Sequence, residues 1–505
     1  MRYLWPALRG ALGVALACCG QSAFGDPTFE DRSSALPDHI YDGDWTHFVG
    51  GGVAVFDCNG DALPDIFAAG GANPAKLIIN DGNFLFTDAR LAHLTAVTGA
   101  YPIDINADGH TDLFVMRAGT NVVLKGHGDC TFSDATTDWG IPTDDAWTTA
   151  FTAWWDGDGH PTLAIGNYVD RTDPDGPFEA CDDNAIFWPT DTGYTAQTLS
   201  PGFCALSILA ANDARGLPTL RLSNDRHYYV KDGYEQMWDI TEGRFLDETD
   251  GWDTVSLWGM GIASRDLTGD GLDEVMLTSM GDQLLQIAGA NGHYTPAPYE
   301  IGTYAQRPHV GDDGRPSTGW HAEFGDIDND GRVDLFIAKG NVDQMPGMAT
   351  RDPNNLLMQA ANATFVEAAA TAGVATTDRS RGAALADFDQ DGRLDLIVVN
   401  RRAPLELYRN TTQNTGNWLW VSLHQTGGNR DAIGATIHIE TPQGMQSIQN
   451  VIGGGHAGGQ ILPRHFGLGM ADTATIVIVW PDGTQSRHAA DANQTLRINR
   501  PQDEN

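Results

Sequence analysis

A short Asp-rich turn recurs along this chain of 505 residues, and the repeat constrains the fold more than any other feature. Each copy has an apolar run, a turn related to D-x-D-x-D-G-x-x-D and a second apolar run, as in 324–337 and 385–399. Seven copies begin 47 to 61 residues apart, which fits four short strands with their connections. The sequence therefore predicts an all-β, seven-bladed β-propeller. The copies begin at Asp57, Asp104, Trp154, Ala211, Asp266, Asp326 and Asp387.

A second pattern lies between the turns: an apolar strand, a bend that contains Gly or Asn, and a strand of the form aromatic-x-acidic. Examples end at Asp88, Asp134 and Glu367. No such strand follows the seventh turn, but Phe29-Glu-Asp31 near the N-terminus matches it. We therefore expect the N-terminal strand to complete the seventh blade and close the ring, because closure removes open sheet edges.

The turn has the ligand pattern of a calcium loop. Oxygens at positions 1, 3, 5 and 9 and the carbonyl of position 7 face one centre, while Gly at position 6 permits a left-handed backbone turn. Oxygen ligands without His or thiolate favour Ca²⁺ over zinc or copper. Five copies are intact, so we expect about five structural calcium ions. The predicted ligands are Asp57, Asn59, Asp61, Asp65, Asp104, Asn106, Asp108, Asp112, Asp266, Thr268, Asp270, Glu274, Asp326, Asp328, Asp330, Asp334, Asp387, Asp389, Asp391 and Asp395.

The third and fourth copies have lost this pattern. The third has Trp154 and Thr162 at positions 1 and 9. The fourth has Ala211 at position 1 and Arg215 at position 5, where a cation replaces a carboxylate. We expect no calcium in either turn. In the intact copies the ion is expected to be structural, since carboxylates crowded without a cation repel one another.

Charge and composition narrow the class of protein. The 67 Asp and Glu against 30 Lys and Arg give a formal charge of -37, which repels nucleic acid, so no nucleic-acid partner is expected. The 14 Trp, 19 Phe and 12 Tyr argue against a disordered chain. The sequence is thus typical of a turn-rich, acidic, globular protein, and it defines no oligomeric state.

The first 25 residues have the pattern of a signal peptide. Arg2 and Arg9 precede an apolar run at 11–19, and the mature chain is predicted to start near Asp26. No later stretch is apolar over the roughly 18 residues that a membrane span needs. We expect a secreted or periplasmic protein without a transmembrane segment. Lipid anchoring at Cys18 or Cys19 is the weaker alternative, because the preceding residues match a lipoprotein cleavage box only loosely.

Four cysteines remain after such cleavage, and an exported chain usually oxidises them. Three pairings are possible. We favour Cys181 with Cys204 and Cys58 with Cys130. For Cys58, which lies beside acidic residues, the alternatives are a small buried thiol and a soft-metal site.

The C-terminal stretch alternates apolar and polar residues between Gly-rich turns, which predicts a small β-sandwich-like domain over 413–505. It contains Asn429-Arg-Asp-Ala-Ile-Gly-Ala435, His465-Phe-Gly-Leu-Gly469 and Val479-Trp-Pro-Asp-Gly483. These motifs resemble the ASPIC/UnbV domain, and the Asp-rich turns resemble the FG-GAP or VCBS repeats of integrin-type propellers. Together they are similar to the cartilage-acidic-protein-like family. The resemblance implies an extracellular calcium-binding propeller over 26–412 with an appended β domain.

The stretch 166–260 is interpreted as an insertion on the propeller, where ligand sites collect at blade ends. Asp225, Arg226 and His227 could form an anion clamp and a general base there. The ring geometry of the propeller could bring three further side chains near these residues. An Asp-Arg pair that braces the loop is the structural alternative. The additional candidates are His321, Glu323 and His456.

The Gly-rich turn at 453–459 is interpreted either as a ligand-contacting turn or as a tight loop packed on the propeller. The sequence lacks a Gly-x-Ser-x-Gly elbow, a His-Glu-x-x-His helix and a P-loop. Two functions follow as hypotheses. The first is a calcium-stabilised scaffold that binds a protein or glycan. The alternative is an enzyme with an active site at the insertion-covered mouth of the propeller channel, with or without a transition metal.

Overall fold

The computed structural model describes residues 24–157, 159–173, 180–225, 233–304, 315–343 and 345–501. Regular structure in these residues is almost entirely β, in agreement with the all-β prediction. Helical segments are short: the α-helix α1 spans Ala369–Ala372, and 3-10 turns span Ser33–Ala35, Trp45–His47, Glu248–Asp250 and Tyr299–Ile301.

The strands group into seven antiparallel four-stranded blades. The N-terminal strand β1 spans Phe29–Asp31. Blade one contains β2 Val53–Phe56, β3 Asp65–Ala68, β4 Lys76–Asn80 and β5 Phe86–Asp88. Blade two contains β6 Val97–Ile103, β7 Asp112–Gly119, β8 Val122–Gly126 and β9 Phe132–Asp134. Blade three contains β10 Ala146–Trp154, β11 Thr162–Asn167, β12 Asn184–Thr190 and β13 Gly193–Leu199.

Blades four to seven follow the same order from the inside of the ring outward. Blade four contains β14 Ala205–Asn212, β15 Pro218–Asn224, β16 Gln236–Asp239 and β17 Arg244–Phe245. Blade five contains β18 Gly259–Arg265, β19 Glu274–Ser279, β20 Leu284–Ala288 and β21 Tyr294–Pro296. Blade six contains β22 Gly319–Gly325, β23 Asp334–Lys339, β24 Asn355–Gln359 and β25 Phe365–Glu367. Blade seven contains β26 Ser380–Ala386, β27 Asp395–Asn400 and β28 Glu406–Asn410.

The N-terminal strand completes blade seven. β1 pairs antiparallel with β28, with Phe29 opposite Asn410 and Asp31 opposite Tyr408. Neighbouring inner strands touch all the way round the ring, including β2 with β26. The predicted seven-bladed propeller and its closure by the N-terminal strand are therefore confirmed.

Burial explains the order of the strands within a blade. Inner strands such as β2 and β6 are buried along their whole length and consist of apolar and small residues. Outer strands bury only the aromatic residue of the aromatic-x-acidic pattern, as β5 does with Phe86. The two residues that follow it face solvent. Burial therefore decreases from the inner to the outer strand, as expected for four strands stacked outward from a central axis.

The stretch 166–260, which the sequence interpretation treats as an insertion, consists mostly of blade strands. It contains β12 and β13 of blade three and all four strands of blade four. The seven repeats already predict blades three and four, but the sequence interpretation assigns the strands beside their degraded turns to an insertion.

The C-terminal domain is a two-sheet sandwich. One sheet has the order β33-β29-β36 and the other β31-β30-β34-β35, with Leu419, Ile437, Phe466 and Ile476 buried between them. The predicted β-sandwich-like domain is confirmed. The strands are β29 Asn417–His424, β30 Thr436–Thr441, β31 Gly444–Gln449, β32 Gln460–Ile461, β33 Arg464–Gly469, β34 Thr473–Val479, β35 Gln485–Asp491 and β36 Gln494–Asn499.

One connection of this domain, residues 450–463, fills the central channel of the propeller; we call it the channel loop. It pairs with the inner strands of five blades. β32 runs parallel to β2, and isolated bridges join Ala153 with Ile452, Leu209 with Gly453, Ile262 with Gly455, and Ala100 with Gly458. The Gly-rich turn 453–459 therefore packs on the propeller, the second of its two interpretations.

Two disulfides join neighbouring blades. Cys58 pairs with Cys130 and Cys181 pairs with Cys204, the two pairings that the sequence analysis favours. The first links the Asp-rich turn of blade one to the outer hairpin of blade two. Because both sulfurs are consumed, the free-thiol and soft-metal alternatives for Cys58 are wrong.

Replacing Cys181 and Cys204 with Ser is expected to lower the free energy of unfolding by about 3 kcal/mol, because this cross-link, with a sequence separation of 23, restricts the unfolded chain. Chemical denaturation of the oxidised parent and the double variant measures the difference. The single change Cys181→Ser should cost about as much as the double change. Equal unfolding midpoints for parent and variants would contradict this expectation.

Candidate functional site

The Asp-rich turns lie where each inner strand leads into the second strand of its blade. We number them as loops one to seven, after the blades. Because all inner strands run in the same direction along the channel, the seven loops share one face of the ring, called here the loop face. Their residues are 57–65, 104–112, 154–162, 211–219, 266–274, 326–334 and 387–395.

The first carboxylate of each intact loop is held by the backbone of that loop. In loop six, Asp326 Oδ1 accepts a hydrogen bond from Asp330 N at 3.0 Å, and Oδ2 accepts one from Gly331 N at 2.8 Å. Loop seven repeats both bonds around Asp387, and loops one, two and five have equivalents. Gly331 has φ +90°, so the left-handed turn expected at position 6 is present.

The carboxylate at position 9 also ties the loop to the blade. Asp334 accepts hydrogen bonds from Ile327 N at 2.9 Å within loop six and from Gln359 N at 2.8 Å on the third strand. Asp395 makes the corresponding bonds to Phe388 N and Asn410 N. The sequence analysis assigns position 9 only as a ligand. The signal for this second role is its place as the first residue of the second strand in each intact blade.

Loops six and seven each bring three carboxylates to one point. In each triplet the ligand oxygens lie within 4.8 Å of one another, and every member is buried except Asp389, which is half-buried. Carboxylate oxygens this close in a site with little water are the ligand set that Ca²⁺ prefers. The two triplets are Asp326, Asp328 and Asp334, and Asp387, Asp389 and Asp395.

Removal from water and mutual repulsion shift these carboxyls toward the protonated form. Burial, followed by the charges of neighbouring carboxylates, raises the pKa of Asp326 and Asp334 well above the usual range. Burial raises the pKa of Asp395 in the same direction and that of Asp387 to about 7. A bound divalent cation would offset both causes.

Loops one, two and five carry a neutral oxygen at position 3, supplied by an Asn or a Thr. Their position 9 residues are nevertheless fully buried, and burial raises the pKa of Asp65, Asp112 and Glu274 to about 7. Glu274 Oε1 is buried without a hydrogen-bond partner among the described residues. An inward-facing carboxylate oxygen with no donor fits a cation ligand.

Basic side chains contact several of the predicted ligands. Arg332 pairs with Asp330 and Arg393 with Asp391, each within its own loop. Arg409 NH2 lies 2.6 Å from Asp389 Oδ2. These pairs lie at the outer side of the loops, at positions 3 and 5, so the two innermost carboxylates of each loop, at positions 1 and 9, remain for an ion.

The degraded loops satisfy their remaining polar groups internally. In loop three, Asp156 accepts hydrogen bonds from Trp154 Nε1 at 3.0 Å and Thr162 Oγ1 at 2.8 Å, while Asp158 lies outside the described residues. In loop four, Arg215 NH2 lies 2.6 Å from Asp213 Oδ2. The cation that the sequence places at position 5 thus neutralises the one carboxylate left. These loops and the five intact ones differ as their residues predict.

The C-terminal domain packs directly on the intact loops. Gly416 N donates to Asp328 O and Gly469 N to Asn329 O, each at 2.9 Å. A Cβ on Gly467 would lie 1.9 Å from Asp326 Oδ2, so only glycine lets β33 approach loop six this closely. The Gly-rich His465-Phe-Gly-Leu-Gly469 motif is therefore a surface that contacts loop six, which the sequence alone does not reveal.

Three of the six candidate catalytic residues meet at the channel loop. His321 Nδ1 accepts from His456 N at 3.1 Å, and His321 Nε2 lies 3.3 Å from Glu323 Oε2. The His456 ring bridges Met260 O and Gly50 N, and burial lowers its pKa to about 3, so it is neutral. Both of its nitrogens hold the channel loop in place and are not free for catalysis.

The other three candidates do not join this group. Asp225 accepts a hydrogen bond from Tyr168 OH at 2.5 Å, near the disulfide between blades three and four. Arg226 and His227 lie outside the described residues. The proposed anion clamp therefore stays a prediction.

Two family models match the chain. One described as "ASPIC and UnbV" matches residues 425–505, and one described as "FG-GAP-like repeat" matches 57–115, 104–165 and 326–398. The matched repeats contain loops one, two, three, six and seven, and the matched domain contains β33. The chain therefore belongs to the FG-GAP-like repeat proteins that carry a C-terminal ASPIC/UnbV domain.

Within that class the chain is similar to cartilage acidic protein 1. It is 32% identical to the mouse protein over 133 residues, which are 25% of this chain and 20% of that protein. It is 28% identical to the human protein over 186 residues, which are 35% of this chain and 28% of that protein. The matches thus span less than a third of the length of either relative.

Solved propeller structures show weaker similarity. BBS1N in complex with ARL6DN has a TM-score of 0.45 and 11% identity, covering 77% of this chain and 97% of that one. YCF48 bound to D1 peptide has a TM-score of 0.42 and 10% identity, covering 77% and 99%. At these scores neither carries an argument about function. Separately, no helix among the described residues is long and apolar enough to cross a bilayer.

Proposed function

We propose that this protein is an exported calcium-binding scaffold whose propeller presents a protein or glycan ligand-binding surface. The calcium part of this proposal rests on the contrast between the five intact loops and the two degraded ones. All five intact loops bury the carboxylate at position 9, and four of them also bury the one at position 1, without a cationic partner at the centre, whereas loop four supplies Arg215 to its single carboxylate. A resident cation explains why the five have kept their acids.

The residues that would hold calcium are those at positions 1, 3, 5 and 9, with the carbonyl of position 7. The ion would neutralise the clustered carboxylates and make the turn between the first two strands of a blade rigid. The loop backbone orients the first carboxylate, and the position 9 carboxylate fixes the third strand. Bound calcium would therefore fix the geometry of the blade. It would also fix the position of the C-terminal domain, which contacts loop six at Gly467 and Asp328.

The ligand surface is expected on the side away from the C-terminal domain. That domain covers the loop face, so large partners reach only the rim or the opposite face. The opposite face carries the described parts of the connections between the second and third strands of blades three, four and six, at 168–173, 180–183, 225, 233–235, 340–343 and 345–354. Variable connections mounted on a rigid ring are where propellers and other β scaffolds place their binding residues.

The enzyme alternative has lost its main support. It requires an open channel mouth, but the channel loop occupies the channel, and Phe48, Trp147 and Tyr168 pack against one another at the opposite end. His321, Glu323 and His456 bond to the channel loop or to one another. We therefore retain only the scaffold as the proposed function.

Export agrees with the two disulfides, which form and persist mainly in oxidising compartments. The predicted signal peptide and the lipid-anchor alternative both concern residues outside the described ranges, and a secreted or periplasmic location is part of the proposal. N-terminal sequencing of the mature protein distinguishes cleavage near Asp26 from modification at Cys18 or Cys19.

Metal analysis of the full chain tests the calcium part. Protein purified without added ions and dialysed against Ca²⁺ is expected to hold about five ions per chain, and Asp326→Ala about four, because loop six loses its buried first ligand. Asp156→Ala in degraded loop three is the matched control and should hold the same number as the parent. Absence of calcium, or stoichiometric zinc, copper or iron in its place, would contradict the proposal.

A further inference from the structure

A cavity of about 180 Å³ lies between blades five to seven and the C-terminal domain. Its walls come from inner strands of the propeller, from the channel loop and from β33. A cavity of about 150 Å³ can hold one benzene molecule, so this one has room for a ring-sized ligand. None of the predicted calcium ligands lines it, although Arg265, Gly325 and Leu394 of its wall adjoin Asp266, Asp326 and Asp395 in sequence, and it plays no part in the scaffold proposal.

Three side chains that line the cavity present polar groups without partners. Arg265 Nε, both ring nitrogens of His465 and Trp420 Nε1 have no hydrogen-bond partner among the described residues. The exposed fractions of these side chains are 6%, 8% and 7%, so water outside the protein does not solvate them. The Gly392 carbonyl lies close enough to His465 to influence its pKa but does not form a hydrogen bond with it.

The acceptors nearby are already engaged. Glu323, the one carboxylate of the cavity wall, accepts hydrogen bonds from Gln460 Nε2 at 2.5 Å and from Leu385 N at 3.1 Å, in addition to its contact with His321. Asp273, a neighbouring charge of Arg265, accepts from Ser264 and Gln449 instead of from the guanidinium. Among the groups that lack partners, donors therefore outnumber acceptors.

The Arg265 guanidinium lies over the Phe466 ring, but its Nε has no hydrogen-bond partner among the described residues. A buried charged donor left without a partner costs several kcal/mol unless an anion or water meets it. The rest of the wall is mixed: Ser264, Gln449, Gln460 and Arg464 are polar, and Leu209, Ile262, Phe324 and Leu385 form an apolar surface. Inorganic anions would leave this apolar surface uncovered. A molecule with one carboxylate and a compact apolar body would satisfy both parts of the wall.

We propose that this cavity binds a small organic carboxylate, with the carboxylate on Arg265 and the apolar body against Trp420 and Leu385. The indole N–H of Trp420 donates a second hydrogen bond to the ligand. The ligand is held where the propeller meets the C-terminal domain, so its binding also stabilises their junction.

Calorimetric titration of the full, calcium-loaded chain tests this inference with benzoate as the probe and benzamide as its neutral isostere. Benzoate is expected to bind with one-to-one stoichiometry and at least ten times more tightly than benzamide. Inorganic phosphate, titrated in parallel, should bind more weakly than benzoate. Equal affinities for benzoate and benzamide, tighter binding of phosphate, or no binding at millimolar benzoate would overturn the proposal and leave a cavity that holds water.

Two variants separate a ligand site from a structural cavity. Arg265→Met should weaken benzoate binding at least tenfold, and Trp420→Phe, which keeps an aromatic ring but lacks the N–H, should weaken it severalfold. Arg487→Met, an exposed arginine paired with Glu440 on the far sheet, is the control and should bind as the parent does. If Arg265→Met fails to fold, His465→Phe removes two of the unpartnered nitrogens and should weaken binding in the same direction. Unchanged affinity in the folded cavity variants would contradict the proposal.

Calcium content measured on the same samples keeps this test distinct from the test of the proposed function. A chain that holds about five calcium ions but binds no benzoate contradicts the cavity proposal alone. A chain that binds benzoate without calcium contradicts only the proposed function.

Discussion

Chelation of calcium will lower the melting temperature of the full chain by about 10 °C or more at pH 8. At a free calcium concentration 100 times the dissociation constant, each site adds about 2.7 kcal/mol to stability, and the five sites act on one folded unit. For a folded unit of this size, 1 kcal/mol corresponds to about 1 °C, because the entropy of unfolding grows with chain length. Differential scanning calorimetry with and without EDTA measures the shift.

The decrease in melting temperature on chelation will be smaller at pH 5, because the clustered carboxyls titrate between pH 5 and pH 8. In the metal-free fold, burial and neighbouring charges raise the pKa of Asp65, Asp112, Glu274 and Asp387 to about 7. A raised pKa means that the folded chain keeps protons that the unfolded chain has lost. The metal-free fold therefore loses stability as the pH rises from about 4 through 7, by up to roughly 3 kcal/mol per carboxyl between pH 5 and pH 8.

Calcium competes with these protons, so its stabilising effect should grow over the same pH interval. Magnesium at equal concentration is the control, since it gives up its water reluctantly and prefers a stricter octahedral geometry. A melting temperature that does not respond to EDTA at pH 8, or a response of equal size at pH 5, would refute the structural role of the ion.

Most of the propeller could be predicted from the sequence because its information is local and repeated. Each intact turn specifies its own backbone through Asp and Gly at fixed positions, and each outer strand through one aromatic residue. Even the long-range closure of the ring was predictable. The seventh repeat lacks an outer strand of the aromatic-x-acidic pattern, and the strand that begins at Phe29 has this pattern. The disulfide pairings follow from four cysteines that lie in neighbouring blades.

Blades three and four were predicted from the repeat count, but most of their strands were interpreted as part of an insertion over 166–260. Trp154, Asp213 and Arg215 fold their turns through internal hydrogen bonds and an ion pair. Such turns need no Asp-rich motif, and their strands then look like an insertion. A turn that has lost the ligand pattern in this way can be recognised from the number and spacing of the blades, but not from its own residues.

The contacts between the two domains could not be predicted, because they depend on backbone groups from distant parts of the chain. The sequence shows that 453–459 is rich in glycine but not that its carbonyls fill a channel. It shows Asp326 as a ligand but not that Gly467 lies against it. Loop six therefore has two neighbours, its blade on one side and the C-terminal domain on the other, and loss of the proposed ion should disturb both.

Replacement of Gly99 by Val will destabilise the whole chain by about 5 kcal/mol or more, in the range reached only by severe steric and packing defects. Gly99 lies on inner strand β6, where a Cβ would fall 1.6 Å from the Ala457 carbonyl of the channel loop. The carbonyl cannot retreat without breaking the adjacent bridge between Ala100 and Gly458. Urea denaturation of the parent and the variant measures the loss.

Gly157→Val is the matched control, because no atom lies within 4 Å of a Cβ at that position. It should change the free energy of unfolding by less than about 1 kcal/mol. Hydrogen exchange should also become faster in both the channel loop and the inner strands of Gly99→Val, because the loop pairs with five blades and cannot leave the channel alone. If the two variants are equally stable, or if only the C-terminal domain loses protection in Gly99→Val, the channel loop does not join the propeller and the sandwich into one cooperative unit.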